Sequence, residues 1–105
     1  MARSAQQRAR RRQRQREALR LYKQLRDEMR FEQIDLVVHN DGRHWQFRFG
    51  QQLLVDYWPS AGRCQIGGGA SQPCNGPTHA GRRAIRQKRA IMERIRAALQ
   101  ATPIS

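Results

Sequence analysis

Lysine is nearly absent from this strongly basic chain. Lys23 and Lys88 are the only lysines among 21 basic residues, and 8 acidic residues leave a net charge of +13. Arginine offers a planar fork that binds phosphate through two hydrogen bonds and also stacks on bases. A surface built for solubility alone mixes lysine with glutamate more evenly. The composition therefore indicates a polyanionic partner, most commonly a nucleic acid.

Long apolar runs are also missing. No run approaches the ~20 residues that a membrane-spanning helix needs, and the N-terminus lacks the apolar stretch of a secretory signal. An arginine-rich start without early acids also fits a mitochondrial transit peptide, but the glutamine content is high and no cleavage signal is evident. We therefore expect a cytoplasmic protein without a membrane partner.

Cysteine is scarce, and no paired carboxylates, phosphate-binding loop or Ser/His/Asp arrangement is recognisable. Cys64 and Cys74 are expected to be free thiols in the cytoplasm. With His79 and His44 they could offer sulfur and nitrogen to a metal, but the spacing C-x9-C-x4-H lacks the close cysteine pairs of ordinary zinc sites. We expect no metal and no cofactor, and we interpret Asp56 as an isolated structural acid.

The excess charge lies outside the middle of the chain. Residues 1–33 hold 11 basic and 4 acidic side chains, and residues 80–105 hold 7 basic and 1 acidic. Residues 34–79 hold three arginines and three aspartates and are neutral. The two ends, rather than the centre, are therefore expected to meet the polyanion.

An arginine-rich arm opens the chain. Residues 3–16 contain no large apolar side chain, although alanine, glutamine and arginine all favour helix. Mutual repulsion predicts that residues 1–16 form a flexible or frayed-helical arm that orders on an anionic target. After it, apolar residues at helical spacing predict that the helix continues to about Arg30. That apolar stripe consists of Ala18, Tyr22, Leu25 and Met29.

A change of period from helical to alternating predicts strands. Apolar residues alternate over residues 34–38 and again over residues 44–49, and Asn40-Asp41-Gly42 between them is a strong hairpin signal. Residues 53–58 and, more briefly, residues 64–66 predict further strands. Trp45, Phe47 and Phe49 share one strand face and are interpreted as core, with His44 on the opposite face. Tyr57 and Trp58 point to opposite faces, so one of them is a candidate for exposure.

A basic helix is predicted at the end. Glycines and prolines over residues 67–77 predict a loop, and Thr78 is a suitable N-cap for a helix to about Ala101. Lys88 falls within its apolar stripe and has to extend its amine toward the surface. The predicted fold class is α+β, in the order α-β-β-β(-β)-α, an antiparallel meander packed by two helices. Residues 17–102 form a single domain behind the arm.

The basic face of the last helix is the first candidate binding site. A glycine-rich loop that leads into a helix start gathers backbone N–H groups, the positive end of the helix dipole and arginines at one corner. Its candidate phosphate-binding residues are His79, Arg82, Arg83, Arg86 and Arg89.

The arm is the second candidate site. Its candidate residues are Arg10, Arg11, Arg12, Arg14 and Arg16. In their glutamine and alanine background they resemble the arginine-rich RNA-binding peptides of phage antitermination proteins, over some fifteen residues. Either RNA or DNA satisfies the electrostatics, and a solubilising tail is the alternative interpretation.

The order of elements resembles two RNA-associated folds. The double-stranded-RNA-binding fold also has three strands between two helices and starts its last helix with basic residues after a glycine, as Gly81-Arg82-Arg83 does here. HicA-type messenger-RNA interferases share that architecture and place a catalytic histidine on a strand after a glycine, as in Gly42-Arg43-His44. This chain departs from the latter pattern at Trp45, where a second polar position or histidine is usual. The resemblance implies a ribonuclease that uses His44 as a general base.

A longer stretch is similar to small uncharacterised proteins of bacteriophages and prophages. It comprises Asn-Asp-Gly-x-His-Trp-x-Phe over residues 40–47 and Asp-Tyr-Trp-Pro-Ser-x-Gly-Arg over residues 56–63. Those proteins tend to have threonine at the position of Ala61 and an aromatic residue at that of Cys64. The resemblance implies a phage origin, and then a location in the host cytoplasm, but brings no activity.

Three functions therefore remain open. The first is a nucleic-acid-binding protein without catalysis, whose charged surfaces contact phosphates. The second is a HicA-like ribonuclease, and the third is a phage protein that binds an acidic host protein. The sequence does not decide between RNA and DNA, between single and double strands, or between oligomeric states.

Overall fold

The computed structural model describes residues 2–101 and the side chains of residues 4–101. Met1 and Thr102, at the ends of the predicted arm and domain, lie outside the described residues. The elements in chain order are α1 (Ala2–Phe31), β1 (Asp35–His39), a 3-10 turn (Asn40–Gly42), β2 (His44–Phe49), β3 (Gln52–Trp58), β4 (Arg63–Ile66), β5 (Gln72–Pro73) and α2 (Pro77–Ala101).

The sheet is an antiparallel meander with the strands in sequence order. The predicted α+β class and the order of its elements are confirmed. The fifth strand, Gln72–Pro73, lies within the segment predicted to be a loop. Two residues, one of them a proline, are too few to produce an alternating pattern, so the sequence gives no sign of this strand.

Helix α1 ends in a Schellman motif. The N–H of Ile34 donates to Met29 O at 2.9 Å and the N–H of Gln33 donates to Arg30 O at 3.0 Å. Gln33 has φ = 59°, a left-handed conformation that glycine usually supplies at this position. The buried side chains of Met29 and Ile34 belong to the same core, so apolar burial offsets the backbone strain. Residues 2–16 belong to this same helix, and the flexibility of the arm stays a prediction.

Helix α2 begins two residues earlier than the sequence predicts. Pro77 is its first residue, so Thr78 lies inside the helix and is not the N-cap. Proline suits the first helical position because its fixed φ is already helical. An N–H at this position would have no acceptor within the helix, so its absence costs nothing.

Trp45 joins the helices to the sheet. Its ring is fully buried and makes edge-on contacts with Tyr22 of α1 and Tyr57 of β3, each at a centroid distance of 5.6 Å. Its indole N–H donates to Gly42 O at 3.0 Å, which also satisfies the polar atom. Phe47 is buried beside it and Phe49 is partly buried against the core, so the prediction that these three aromatics are core is confirmed.

The two helices lie side by side on one face of the sheet and run in the same direction. A Cβ at Gly81 would lie 3.0 Å from Leu25 Cδ1 and 3.3 Å from Met29 Cε. About two turns farther along α2, the Lys88 amine donates to Glu32 O and lies 5.0 Å from the Phe49 ring centroid. Lys88 thus lies within the apolar stripe, as predicted, but its amine ends on a part-buried backbone carbonyl of α1, whereas the sequence predicts that it reaches toward the surface.

Parallel helices of this length extend past the sheet at opposite ends. Residues 4–14 of α1 are exposed at one end, before Ala18 becomes fully buried. Residues 92–101 of α2 are exposed at the other end. The molecule is therefore elongated, with extents of 70 × 27 × 19 Å.

The close approach of the helices at Gly81 predicts sensitivity to added volume. Gly81→Val should lower the free energy of unfolding by about 1–3 kcal/mol because the new methyl groups displace Leu25 and Met29. Urea unfolding followed by circular dichroism measures this. Ala90→Val places the same side chain on an exposed part of α2 and should cost less than about 0.7 kcal/mol. Equal losses in the two variants would contradict the packing explanation.

Candidate nucleic-acid interface

The first basic surface, the α2 basic face, consists of His79, Arg82, Arg83, Arg86 and Arg89. Four of them border a cavity of about 470 Å³ between α2 and the outer strands of the sheet. The full lining is Ile66, Gln72, His79, Arg82, Arg83, Arg86 and Gln87. Arg89 lies one turn farther along α2, in a shallower groove that it shares with Arg82, Ile85 and Arg86. The structure thus brings together all five residues predicted for this site.

Arg83 is fixed in the floor of this surface. Its Nη1 donates to Gln72 Oε1 and lies 3.7 Å from Cys64 Sγ, and its Nε lies 2.9 Å from His79 Nε2. These contacts hold the guanidinium against β4 and β5. Arg82, Arg86 and Arg89 are exposed instead. The surface therefore has one positioned cation and three that can move toward a ligand.

His79 lies where several donors converge. The N–H of Asn75 points to His79 Nδ1 at 2.9 Å, while Arg83 Nε–H points to Nε2 at the same distance. A neutral imidazole has one acceptor nitrogen, so it accepts from only one of these two groups at a time. Burial lowers the pKa of His79 below its ordinary value, and the charges of Arg83, Arg82 and Arg86 lower it further. The corner is electropositive and has more donors than acceptors.

The second basic surface, the arm, projects from the domain as the first part of α1. Arg10, Arg11, Arg12 and Arg16 are exposed on it. Arg14 is held instead, because its Nε donates to Ser60 O at 3.1 Å in the turn between β3 and β4. The structure thus separates one anchored arginine from four that face solvent.

Arg43 joins the arm, although sequence reasoning did not include it. It lies after the hairpin turn and lines a groove of about 620 Å³ with Arg12, Gln15, Arg16 and Leu19 of α1. Gln15 Nε2 also donates to Asp41 O in that turn, at 3.4 Å. Only the packing of the hairpin against α1 makes this contact, and no sequence pattern announces it.

The side of the sheet away from the helices, the open sheet face, carries a polar network. Asp56 accepts a hydrogen bond from Gln46 Nε2 at 3.1 Å and lies 2.7 Å from His44 Nε2. The His44 ring stacks on Trp58 with an interplanar angle of 3° and a centroid distance of 4.9 Å. Asp56 is thus not the isolated acid that its sequence position indicates. His44 is opposite the aromatic core face, as predicted, and Trp58 rather than Tyr57 is the partly exposed member of its pair.

The cysteines are buried free thiols, as predicted. Burial and the neighbouring Cys64 raise the pKa of Cys74 to about 12, so the thiol is protonated at neutral pH. Within residues 2–101, no three histidine, cysteine or acidic side chains are grouped so as to hold a metal ion. In the same part of the chain, neither helix is apolar enough to cross a membrane.

Comparisons with protein-family models, curated proteins and solved structures gave no match to this chain.

The arginines around His79 predict a measurable titration. The pKa of His79 should lie below 6.5, and Arg83→Gln should raise it because one neighbouring positive charge is removed. The neutral ring is the form that the fold favours. His79 therefore stabilises the fold above pH 6.5, and that contribution is lost as the pH falls through its lowered pKa.

NMR titration of the imidazole carbon-bound protons measures the shift. Arg94→Gln removes an equal charge from a distant, exposed position on the same helix and should leave the His79 pKa unchanged. A His79 pKa at or above its ordinary value in the unaltered protein would contradict the described geometry.

Proposed function

We propose that this protein binds nucleic acid by contacting backbone phosphates through the α2 basic face and the arm. The observation that carries the proposal is the uncompensated charge of the α2 basic face. Among the described side chains, none of its four arginines is in an ion pair with an acid. Glu93 is the only acid on α2, and it pairs with Arg96, 3.9 Å away. Phosphates are the ligands that such a surface accommodates most readily.

The position of α2 supports a surface of fixed shape. Ala80, Gly81 and Ala84 are buried against the rest of the fold, so the arginines between them project from an anchored helix. The backbone positions from which they project are then set before a ligand arrives, which reduces the entropy cost of binding. Phosphate contacts position a nucleic acid without reading its sequence. The proposal therefore covers RNA and DNA alike.

Salt dependence tests the proposal. Binding should weaken linearly on a double logarithmic scale as salt rises, with a slope of roughly −0.7 to −0.9 for each phosphate contacted. Replacing Arg82 and Arg86 together by glutamine should reduce the magnitude of the slope by about 1.4–1.8, because two contacts are removed. Fluorescence anisotropy with labelled RNA and DNA at several salt concentrations measures it.

The matched control is Lys23→Gln with Arg30→Gln. Both side chains are exposed on α1 outside the two basic surfaces, and the double replacement lowers the net charge by the same amount. This control double variant should leave the slope of the salt dependence unchanged within experimental error. A flat salt dependence in the unaltered protein, or equal effects of the two double variants, would overturn the proposal.

A second candidate function is RNA cleavage, and the contact between His44 and Asp56 favours it. Asp56 is 7% exposed and lies 2.7 Å from His44 Nε2. A carboxylate in this position accepts the Nε2–H and holds the imidazole in the tautomer whose Nδ1 is free to take a proton. A base of this kind can remove the proton of a ribose 2′-hydroxyl, whose oxygen then attacks the adjacent phosphorus. A 2′,3′-cyclic phosphate forms as the bond to the 5′-oxygen breaks, and that oxygen takes a proton from water.

If this candidate is right, His44→Ala should abolish cleavage of single-stranded RNA while leaving the binding of double-stranded RNA through the α2 basic face intact. Asp56→Asn should reduce the cleavage rate by a factor of about 100–10,000, the range that general base catalysis contributes. Gel analysis of end-labelled RNA measures both. His39→Ala removes a neighbouring histidine that has no carboxylate contact among the described residues, and it is the control. Unchanged cleavage in His44→Ala would eliminate this candidate.

A further inference from the structure

Trp58 is a large aromatic side chain that the helices leave uncovered. Trp45, Phe47 and Tyr57 lie in the core beneath α1 and α2, whereas Trp58 is on the open sheet face and is only partly buried. Its neighbour in the stack, His44, has a side chain that is 21% exposed. The two rings are parallel and stacked, so His44 covers one face of Trp58 and the opposite face lies on the side of strand β4.

The stack of His44 on Trp58 is held rigidly. The ring of His44 is fixed on one side by the contact with Asp56, whose side chain is 10% exposed and also accepts from Gln46. Trp58 and His44 are on the neighbouring strands β3 and β2, so the ladder of the sheet sets their separation. A rigid aromatic surface loses little conformational entropy when a second flat ring stacks on it.

A positioned cation lies beside the stack. Arg63 of β4 is directly across from Trp58 in the strand register. Its guanidinium is exposed and is oriented by Ser71, through Nε to Oγ at 2.7 Å and through Nη2 to the backbone oxygen at 3.0 Å. Asp56, the nearest acid in the register, is already engaged by His44 and Gln46. The positive charge of Arg63 beside Trp58 therefore favours a ligand that places an anionic group next to a flat ring.

We propose that the open sheet face binds an unpaired base of a single-stranded nucleic acid. The base stacks on the face of Trp58 opposite His44, and the adjoining phosphate pairs with Arg63. This inference rests on the proposed nucleic-acid function and adds its substrate class, because a base inside a duplex cannot reach such a surface. Strand β4 connects the two sites, since Cys64, next to Arg63, contacts Arg83 of the α2 basic face.

The test compares a single strand with an abasic strand of equal length. Both carry the same phosphate charge, but only the first has bases to stack. The unaltered protein should bind the base-containing strand about tenfold more tightly, which corresponds to one stacked base. DNA and 2′-O-methyl RNA of the same sequence are used in parallel, since neither is cleaved through a 2′-hydroxyl. A duplex of that sequence provides the third ligand.

Variants at Trp58 locate the effect. Trp58→Leu should abolish the preference for the base-containing strand and leave the affinity for the abasic strand unchanged. Trp58→Phe should retain part of the preference, because a smaller ring still stacks. Phe31→Leu removes an aromatic ring that is 91% exposed at the end of α1 and should change nothing. In each Trp58 variant the emission of buried Trp45 reports whether the core is intact.

The outcomes separate this inference from the function on which it rests. Equal affinity of the unaltered protein for the two strands, with a steep salt dependence, overturns the base-binding surface and leaves phosphate binding in place. A preference that survives in a folded Trp58→Leu also overturns it. Absence of binding to every ligand overturns both.

Discussion

The burial of Trp45 is the constraint on which the rest of the structure depends. One ring contacts α1 through Tyr22, contacts β3 through Tyr57 and satisfies its polar atom on Gly42 in the hairpin turn. A Cβ at Gly42 would lie 2.9 Å from Leu19 Cδ2, so the turn also has to approach α1 closely. The consequence is that α1, the hairpin and the central strand take their positions together.

This arrangement gives the two faces of the sheet different surroundings. The helices cover the apolar face, so their basic side chains are presented at the edges and ends of the molecule. The other face stays free of helices and keeps its polar network, in which buried Asp56 is satisfied by His44 and Gln46. A carboxylate buried without such donors would lower the stability of the fold by about 1–3 kcal/mol or more. The network is therefore required by the fold as well as available to a ligand.

Much of the fold was predictable because its signals are local. Apolar periodicity marks the second half of α1, from Ala18 onward, and alternation places Trp45 and His44 on opposite faces of one strand. The contact of His44 with Asp56 was not predictable, because it depends on the register between β2 and β3, which shifts at a bulge after Phe47. The α2 basic face was recognisable because its arginines are close in sequence. Arg43, which approaches the arm through tertiary packing alone, was not.

The two parallel helices extend past the sheet at opposite ends, and these overhangs set the length of the molecule. Its long axis of 70 Å equals about 20 base-pair steps at 3.4 Å each. Arg8 in the first part of α1 and Arg96 near the end of α2 lie in these opposite overhangs. For the proposed phosphate binding, this means that a polyanion much shorter than the molecule can contact only one overhang at a time, whereas a longer single strand or duplex can contact both.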